Sequence, residues 1–407
     1  MKAIVRLPSY AKAQSRYEVS SISRLTRRRS NVIVGDFDLD EIADIEREGG
    51  EVYPDVQFQL ASTDYPFLPE RDAARFWERD YGEFSPASGF SLDDVLNHIK
   101  APEAWHFSRG SGVTIAIVDT GIATDRPEIP SFKRSSIDVP SEFAGQHWSD
   151  SFGHGSMCAC IAAGTSSDGG LYNGVAPDAN VLAVKSILSS TDLYVIYDDL
   201  IERFSDKSEG RLIINNSFAL LRCASTGEFT LDHPLVDLIK SGVSAGIPFV
   251  FAAGNSHYDG ACDNRAGECY PNTIWSINSL DEVFCVGAVD GENSNQSESS
   301  AHANSSRGPG ELSMLGDKPD LVAPTYGRVP WGNIGYKTLE WWGTSGAAPQ
   351  AAGAMALVLA AYPNMSVEEL YRLLRESALP LASSKHCTGA GLLNCERIVQ
   401  KLLGHIS

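Results

Sequence analysis

Long apolar runs are missing from this sequence. None approaches the ~18 residues a membrane-spanning helix needs, so no membrane partner is expected. The opening stretch, MKAIVRLPSYAKAQSRYEVSS, also lacks the hydrophobic run of roughly 7–15 residues that marks a secretion signal, and a cytoplasmic location is expected. Cysteine is scarce: eight in 407 residues, with no C-x-x-C pair, exclude a disulfide scaffold. Reduced thiols are expected, with Cys262/Cys269 and Cys387/Cys395 the pairs placed to bridge in an oxidising compartment. His257, Cys262, Cys269 and Cys285 lack the spacing of zinc ligands, and neither internal repeats nor low-complexity tracts occur.

Positive charge is also in short supply, and it is unevenly placed. The formal net charge is −19, yet residues 1–35 carry eight Lys/Arg against one Glu. An acidic body therefore follows a basic N-terminal segment. Such a body repels phosphates over most of its surface, so no nucleic-acid partner is expected. Arg27, Arg28 and Arg29 fit a solvated loop or a contact with the acidic body.

What is present is a change of pattern along the chain. Residues 31–60 read as strand, helix, strand: NVIVGDF, then DLDEIADIERE with Leu39, Ile42 and Ile45 on one side, then EVYPDVQFQL in alternation. Residues 61–95, rich in Pro, Ser and Gly, read as a linker in which FWERDYGEF contributes at most a short helix. From about residue 96, short runs apolar on both faces (113–118, 180–187, 211–217, 248–254 and 283–289) alternate with helical patterns, as in parallel strands covered by helices. Ser366 and Glu369 form a capping box at the start of one of these helices. The expected architecture is an α/β fold, a doubly wound parallel sheet over residues 96–407, preceded by a small α+β unit at 1–60.

Four segments carry groups suited to chemistry. Asp119 ends an apolar strand, where a carboxylate is costly unless hydrogen-bonded; a capping role competes with a catalytic one. His154 sits between two glycines at the mouth of a small-residue helix, where a structural role is equally available. Ser345 opens an Ala-rich helix whose positive end favours the negative charge of an attacked carbonyl, although an N-cap serine occupies the same place. Asn255 follows a buried strand and offers a neutral amide donor for an oxyanion. Together, the order Asp, His, Ser, each at a strand end or helix start, matches one known chain order of the triad and differs from that of the α/β-hydrolases.

The sequence resembles the subtilisin-like (S8) serine peptidases over roughly residues 95–403. The match is carried by VDTG at Asp119, GHGS at His154, AAGN at Asn255 and GTSGAAP at Ser345, with GVAP, INNS, VGAV, SSRGP, KPDLVAP and GAGLLN in support. The resemblance implies a serine endopeptidase in which Asp119 orients His154, His154 takes the proton of Ser345, and Asn255 helps hold the oxyanion. It implies substrate binding by Ser217, Phe218 and Ala219 on one side of a first pocket and Gly254 on the other. Protein or peptide substrates are then the partners. No cofactor and no metal are expected, the loop SSDGGLYN being shorter than the segment that holds calcium in many relatives. Gly346 replaces the family's usual methionine, which would loosen packing behind the nucleophile, and Ala219 replaces the usual glycine, which would narrow the groove. Residues 31–60 are similar to the later half of the family's inhibitory propeptide, so the N-terminal segment is expected to act as an intramolecular inhibitor, a permanent docking module being the alternative. A catalytically silent binding module with the same fold is the competing functional class.

Overall fold

The apolar runs assigned to parallel strands form one sheet, because each is buried on both faces and only helices cover such strands. The computed structural model describes residues 1–8, 24–25, 31–61, 89–220, 229–257, 272–289, 300–333 and 335–404. In chain order the first strands are β1 (Lys2–Arg6), β2 (Arg24–Leu25), β3 (Val32–Asp36), β4 (Glu51–Pro54) and β5 (Gln59–Leu60). The remainder are β6 (Val113–Asp119), β7 (Asn180–Lys185), β8 (Arg211–Asn216), β9 (Phe218–Ala219), β10 (Phe249–Ala252), β11 (Phe284–Val289), β12 (Leu321–Pro324), β13 (Gly327–Trp331) and β14 (Gly335–Leu339). The main sheet has the order β12-β11-β10-β8-β6-β7, all neighbours parallel.

Two helical layers cover it, and the alternation within each strand divides the core between them. Val113, Ile115 and Ile117 of β6 point into the layer that holds α4 (His154–Ala163), α7 (Ala348–Ala361), α8 (Val367–Ser377) and α10 (Cys395–Gly404). Ala116 and Val118 point to the other layer, formed by α5 (Ser190–Phe204) and α6 (Pro234–Ser244). After β6 the chain lays β7 on one side and then β8 on the other. The order therefore reverses at the carboxyl end of β6, where open α/β sheets place their ligands.

The N-terminal unit is a four-stranded antiparallel sheet, β2-β3-β1-β4, with α1 (Leu39–Arg47) on one face. Ala3, Val5, Ile33 and Ile45 pack between sheet and helix. The opposite face, through Ile4, Val32 and Val34, joins the core around α5, so the unit sits on the main body through apolar contact. Two ion pairs flank that contact, Lys2 Nζ to Glu142 Oε1 and Arg6 Nη2 to Asp237 Oδ2, both 2.6 Å. The basic end thus meets the acidic body at two points; Arg27, Arg28 and Arg29 lie outside the described residues.

Several elements differ from the sequence reading. EVYPDVQFQL is not one strand: β4 ends at Pro54, which has no N–H for the ladder, and Asp55, whose N–H makes a last bond to the Lys2 carbonyl (3.0 Å), turns its carboxylate to accept from Thr191 N (2.9 Å) and Ser190 Oγ (3.1 Å) at the start of α5. The sixth strand, β12, lies in KPDLVAP and is too short to carry a period of its own. The β13–β14 hairpin was also missed; Arg126, fully buried, ties its turn by donating to the carbonyl of Gly335 at 2.8 Å. Two short helices precede β6, namely α2 (Leu92–His98) and α3 (Ala101–Ala104). The expected linker 61–95 lies mostly outside the described residues, but α2 begins within it and buries Leu92, Val95 and Leu96 in the main core.

The cysteines also need a correction. Cys395 is a free buried thiol, whereas Cys387 is disulfide-bonded, so these two do not bridge each other and the chain is not fully reduced. Their helices face different neighbours: Cys395 opens α10, whose backbone bonds to Ile99 beside α3, while α9 (Lys385–Thr388) lies where Gly308 donates to the His386 carbonyl. Cys262 and Cys269 lie outside the described residues.

Candidate active site

At the carboxyl end of β6, Asp119 is wholly buried, and its Oδ1 accepts from Thr120 N at 2.7 Å and stands 2.7 Å from His154 Nδ1. His154 is the first residue of α4 and is 2% exposed. Burial pulls the pKa of its imidazole down, but the adjacent Asp119 carboxylate outweighs this and holds it well above the ordinary histidine value. Nδ1 therefore carries the proton shared with Asp119, which leaves Nε2 as the basic nitrogen; among the described residues Nε2 has no partner.

Ser345 lies in the tight turn Thr344–Gly346 that leads into α7. Its hydroxyl donates to the carbonyl of Ser217 at 3.0 Å rather than to His154 Nε2. The serine is tied to its surroundings through its own carbonyl, which accepts from Ser217 Oγ at 3.0 Å and from Cys158 Sγ at 3.6 Å. Cys158, one turn along α4, also stands 3.9 Å from His154 Nδ1, and burial raises its thiol pKa. Gly346 does not loosen this region: a Cβ there would stand 2.9 Å from Trp342 Cβ and 3.0 Å from its ring, so Trp342 occupies the space a larger residue would need.

Asn255, two residues past the AlaAla of the β10 loop, is aimed by Thr344. Its Oδ1 accepts from Thr344 N (3.0 Å) and Thr344 Oγ1 (2.8 Å), which turns the Nδ2 end outward. That amide donates to the carbonyl oxygen of Ala61 at 2.5 Å, and the Ser345 backbone N–H donates to the same oxygen at 3.2 Å. Gly343 has φ +73°, and a Cβ there would fall 2.3 Å from the Ala61 oxygen, so only glycine leaves room for this carbonyl.

Ala61 arrives as the end of an added strand. β5 pairs antiparallel with β9, Gln59 with Ala219 and Leu60 with Phe218, and Ala61 N donates to Ser217 O at 3.1 Å. Phe58 is fully buried, its ring 5.5 Å from Phe218 and 5.6 Å from Phe229. Thus Ser217, Phe218 and Ala219 run along one side of residues 59–61, Asn255 and the Ser345 N–H meet the Ala61 carbonyl, and Gly254 stands next to Ala219, where a Cβ on it would lie 3.3 Å from the Ala219 Cβ.

Sequence reasoning missed Asp150. It is buried and accepts five hydrogen bonds: from Thr120 Oγ1 (2.9 Å), Phe152 N (3.1 Å), Gly153 N (2.8 Å), Ser156 N (2.9 Å) and Ser156 Oγ (2.6 Å). One carboxylate thereby fastens both flanks of His154 to the residue after Asp119. The available signal was an Asp four residues ahead of a helix-opening histidine, since short acidic side chains satisfy the free N–H groups of a helix start.

Residues 110–393 match the subtilase family of peptidases. The chain belongs to that family. Among its relatives, serine protease AprX of Bacillus subtilis is 30% identical over 312 residues, covering 71% of this chain and 66% of AprX's length. An intracellular serine protease of Paenibacillus polymyxa is 31% identical over 307 residues, covering 72% of this chain and 82% of that one. The fold of fervidolysin from Fervidobacterium pennivorans, a keratinolytic enzyme related to subtilisin, superposes with a TM-score of 0.67 at 18% identity, covering 98% of this chain and 60% of that one. That fold likeness takes in the N-terminal unit as well as the main sheet. As a subtilase the chain is a serine protease, a hydrolase of peptide bonds, and no helix among the described residues is long and apolar enough to cross a membrane.

In this subtilase the Asp150 network sets where the imidazole stands. Asp150→Asn keeps the size of the side chain but presents an amide to the donors it now accepts from. Peptide hydrolysis should lose on the order of 10²-fold in kcat with little change in KM, the scale of a slight misplacement of a reacting group. Steady-state kinetics on the purified variant check this, and an unchanged kcat would make the network irrelevant to catalysis.

Proposed function

We propose that this subtilase is an endopeptidase made as a self-inhibited precursor, with Asp119, His154 and Ser345 as its triad and Asn255 as oxyanion donor. The observation that carries the reading is the Ala61 carbonyl, held by the Ser345 N–H and the Asn255 amide. Two donors converging on one peptide oxygen beside a serine form the arrangement that stabilises an attacked carbonyl. In the reaction, the Ser345 hydroxyl leaves the Ser217 carbonyl, turns to His154 Nε2 and attacks; His154 takes its proton and passes it to the departing amine. Asp119 holds the imidazole with Nδ1–H toward itself and stabilises the cation that forms. Water, activated in the same way, then releases the acyl group.

The same geometry supports a cleavage point. With Ala61 as the residue whose carbonyl is attacked, the bond that breaks is Ala61–Ser62, which separates an N-terminal unit of residues 1–61 from the catalytic chain. The freed end stays in the groove through the β5–β9 pairing and the buried Phe58, and blocks it as an added strand does. The substrate proposed for the released enzyme is an extended peptide that pairs with β9 in the same way.

Ser345→Ala should leave the full chain uncut and lower hydrolysis of added peptide by on the order of 10⁶-fold, the scale of losing the nucleophile in subtilisin. Mass spectrometry of the active wild type should find a new terminus at Ser62. Cutting of the Ser345→Ala chain at that bond, or an active enzyme that keeps residues 1–61 attached, would defeat the reading.

Asn255→Ala should lose about 10²–10³-fold in kcat, as removal of the corresponding donor does in subtilisin. Steady-state kinetics separate this from a change in KM alone, which would mean equal binding of ground and transition states.

The pH dependence follows from His154. The base acts when neutral, so activity rises with pH through its pKa; because Asp119 holds that pKa up, the midpoint of the rise should lie above the ordinary ~6.5. Asp119→Asn should move the midpoint down. A profile of kcat/KM between pH 5 and 10 tests both, and a flat profile would contradict a histidine base.

A further inference from the structure

Where the N-terminal unit meets the body, one buried histidine has no part in the proposed catalysis. His233 is 2% exposed and caps α6, its Nδ1 accepting from Leu235 N at 3.1 Å. The neutral ring therefore carries its proton on Nε2, which is buried and has no partner among the described residues. Tyr53 of β4 meets the ring edge-on at 5.0 Å between centroids, and Phe229 lies 4.1 Å from it. The Tyr53 hydroxyl donates to Glu51 Oε2 at 2.8 Å and lies 3.4 Å from the Asp232 carbonyl, which keeps the tyrosine over this spot.

A second proton has no favourable place on this ring. It would sit on Nδ1 and end the bond from Leu235 N, leaving an N–H at the helix start unmatched. It would also create a cation among aromatic rings and near a second one, the Arg6 guanidinium, which stands 5.7 Å from the centre of the Tyr53 ring and pairs with Asp237 (2.6 Å) and Glu51 (3.2 Å). Burial first, and then the charge of Arg6, push the pKa of His233 down to about 3 against the opposing carboxylate of Asp232. Both Tyr53 and Arg6 belong to the N-terminal unit. Once that unit leaves, the ring loses the cover of Tyr53 and the neighbouring cation, and its pKa returns toward the ordinary ~6.5.

We infer that His233 makes the hold of the N-terminal unit on the catalytic body depend on pH: the unit docks on the neutral imidazole and is loosened when acid protonates it. The docked state binds fewer protons than the open one, so docking is firmest above the open-state pKa and weakens as pH falls below it. For an open-state pKa of ~6.5, the docking equilibrium drops by up to about 30-fold between pH 7.5 and pH 5. Two other groups at the contact keep their state across that window: Tyr53, pushed up to about 12 by burial and by its bond to Glu51, stays neutral, and Asp232, held low by its bond from Thr230, stays ionised. Arg6, Glu51 and Asp237 complete the charged groups there, and the window ends above the range of ordinary carboxylates. Acid thus favours departure of the unit while His154 needs a higher pH to act as a base, so release and turnover have opposite pH dependences.

The test uses the full-length Ser345→Ala chain, in which the contact is present whether or not the wild type cuts itself. Hydrogen exchange is followed at the Phe58 and Ala61 amides, which donate across the contact to the Leu188 and Ser217 carbonyls, and is corrected for the intrinsic pH dependence of exchange. Their protection should fall by about 10- to 30-fold from pH 7.5 to pH 5. His233→Asn keeps an acceptor at the helix cap but cannot titrate, so in that background the protection should change by less than about threefold. The imidazole NMR signal of His233 should show a neutral ring for as long as these amides stay protected. Unchanged protection in the Ser345→Ala chain, an equal fall in the His233→Asn background, or a His233 ring that titrates near ~6.5 while the amides are protected, overturns this inference alone. Failure of the peptidase reading shows instead as hydrolysis by Ser345→Ala or a wild-type Ser345 that takes no fluorophosphonate label, and none of the exchange measurements depends on either.

Discussion

A carboxylate with no exposure to water has to be matched by donors, and Asp119 imposes that requirement on everything around it. It lies at the end of a central strand, where a carboxylate without hydrogen bonds is costly. The partners its Oδ1 finds are the Thr120 N–H and His154. To hold His154 there, the chain needs α4 to begin at that residue, and the start of α4 is pinned by Asp150, a second buried carboxylate reaching both Thr120 and Ser156. Two acids at the turn thus define one imidazole position, and the raised pKa of His154 follows from that placement. Helix, strand end and loop are fixed by charge satisfaction before any substrate is considered.

The N-terminal unit adds a constraint of a different kind. Its sheet is joined to α5 by apolar contact, but the main chain of its last seven residues is bonded along its length, Val56 with Ser190, Phe58 N with the Leu188 carbonyl, Gln59 and Leu60 with β9, and Ala61 between Ser217, Ser345 and Asn255, while the Asp55 carboxylate and the Gln57 amide add side-chain bonds to residues 187–191. Main-chain bonding tolerates many sequences, which suits a groove proposed to read other peptides. What this segment adds through its own side chains is the Phe58 ring against Phe218 and Phe229, and the Asp55 and Gln57 bonds to residues 187–191. The groove proposed to accept a substrate is therefore filled by a covalently attached strand, and attachment favours occupancy because it raises the local concentration of the occupant.

Much of this was legible in the sequence. The five buried runs are strands because parallel strands under two helical layers must be apolar on both faces, and the Ser366–Glu369 capping box forms as its spacing requires. Asp119, His154, Asn255 and Ser345 were visible through motifs in order. What escaped notice had no period or used main-chain atoms. Four-residue β12 carries too little pattern, and Pro54 sits inside what reads as uninterrupted alternation. The partner of the Asn255 amide is a backbone carbonyl, which any residue supplies, so Ala61 had no side-chain signature. The bonded state of Cys387 runs against the expectation of reduced thiols, and the pairing that spacing offers in an oxidising compartment, with Cys395, is excluded because the fold turns their helices to different neighbours.

The two departures from the family pattern have opposite physical outcomes, and the contrast points to where selection for function acts. At Gly346 a side chain is lost, but Trp342 fills the volume, so packing density behind the serine is kept and the change is neutral for the groove. At Ala219 a methyl is gained and nothing retreats to accommodate it: Gly254 stays without a side chain, Ser306 stands behind it, and Asn278 ties the walls together. An uncompensated change in a closely packed crevice alters what fits there. Sequences that specify a fold are consistent across levels, and the places where a local rule is broken without repair tend to be functional sites. By that reasoning, Gly346 and Trp342 are a packing exchange within the scaffold, whereas the Ala219 methyl is a gain beside Gly254 that no neighbour gives way to.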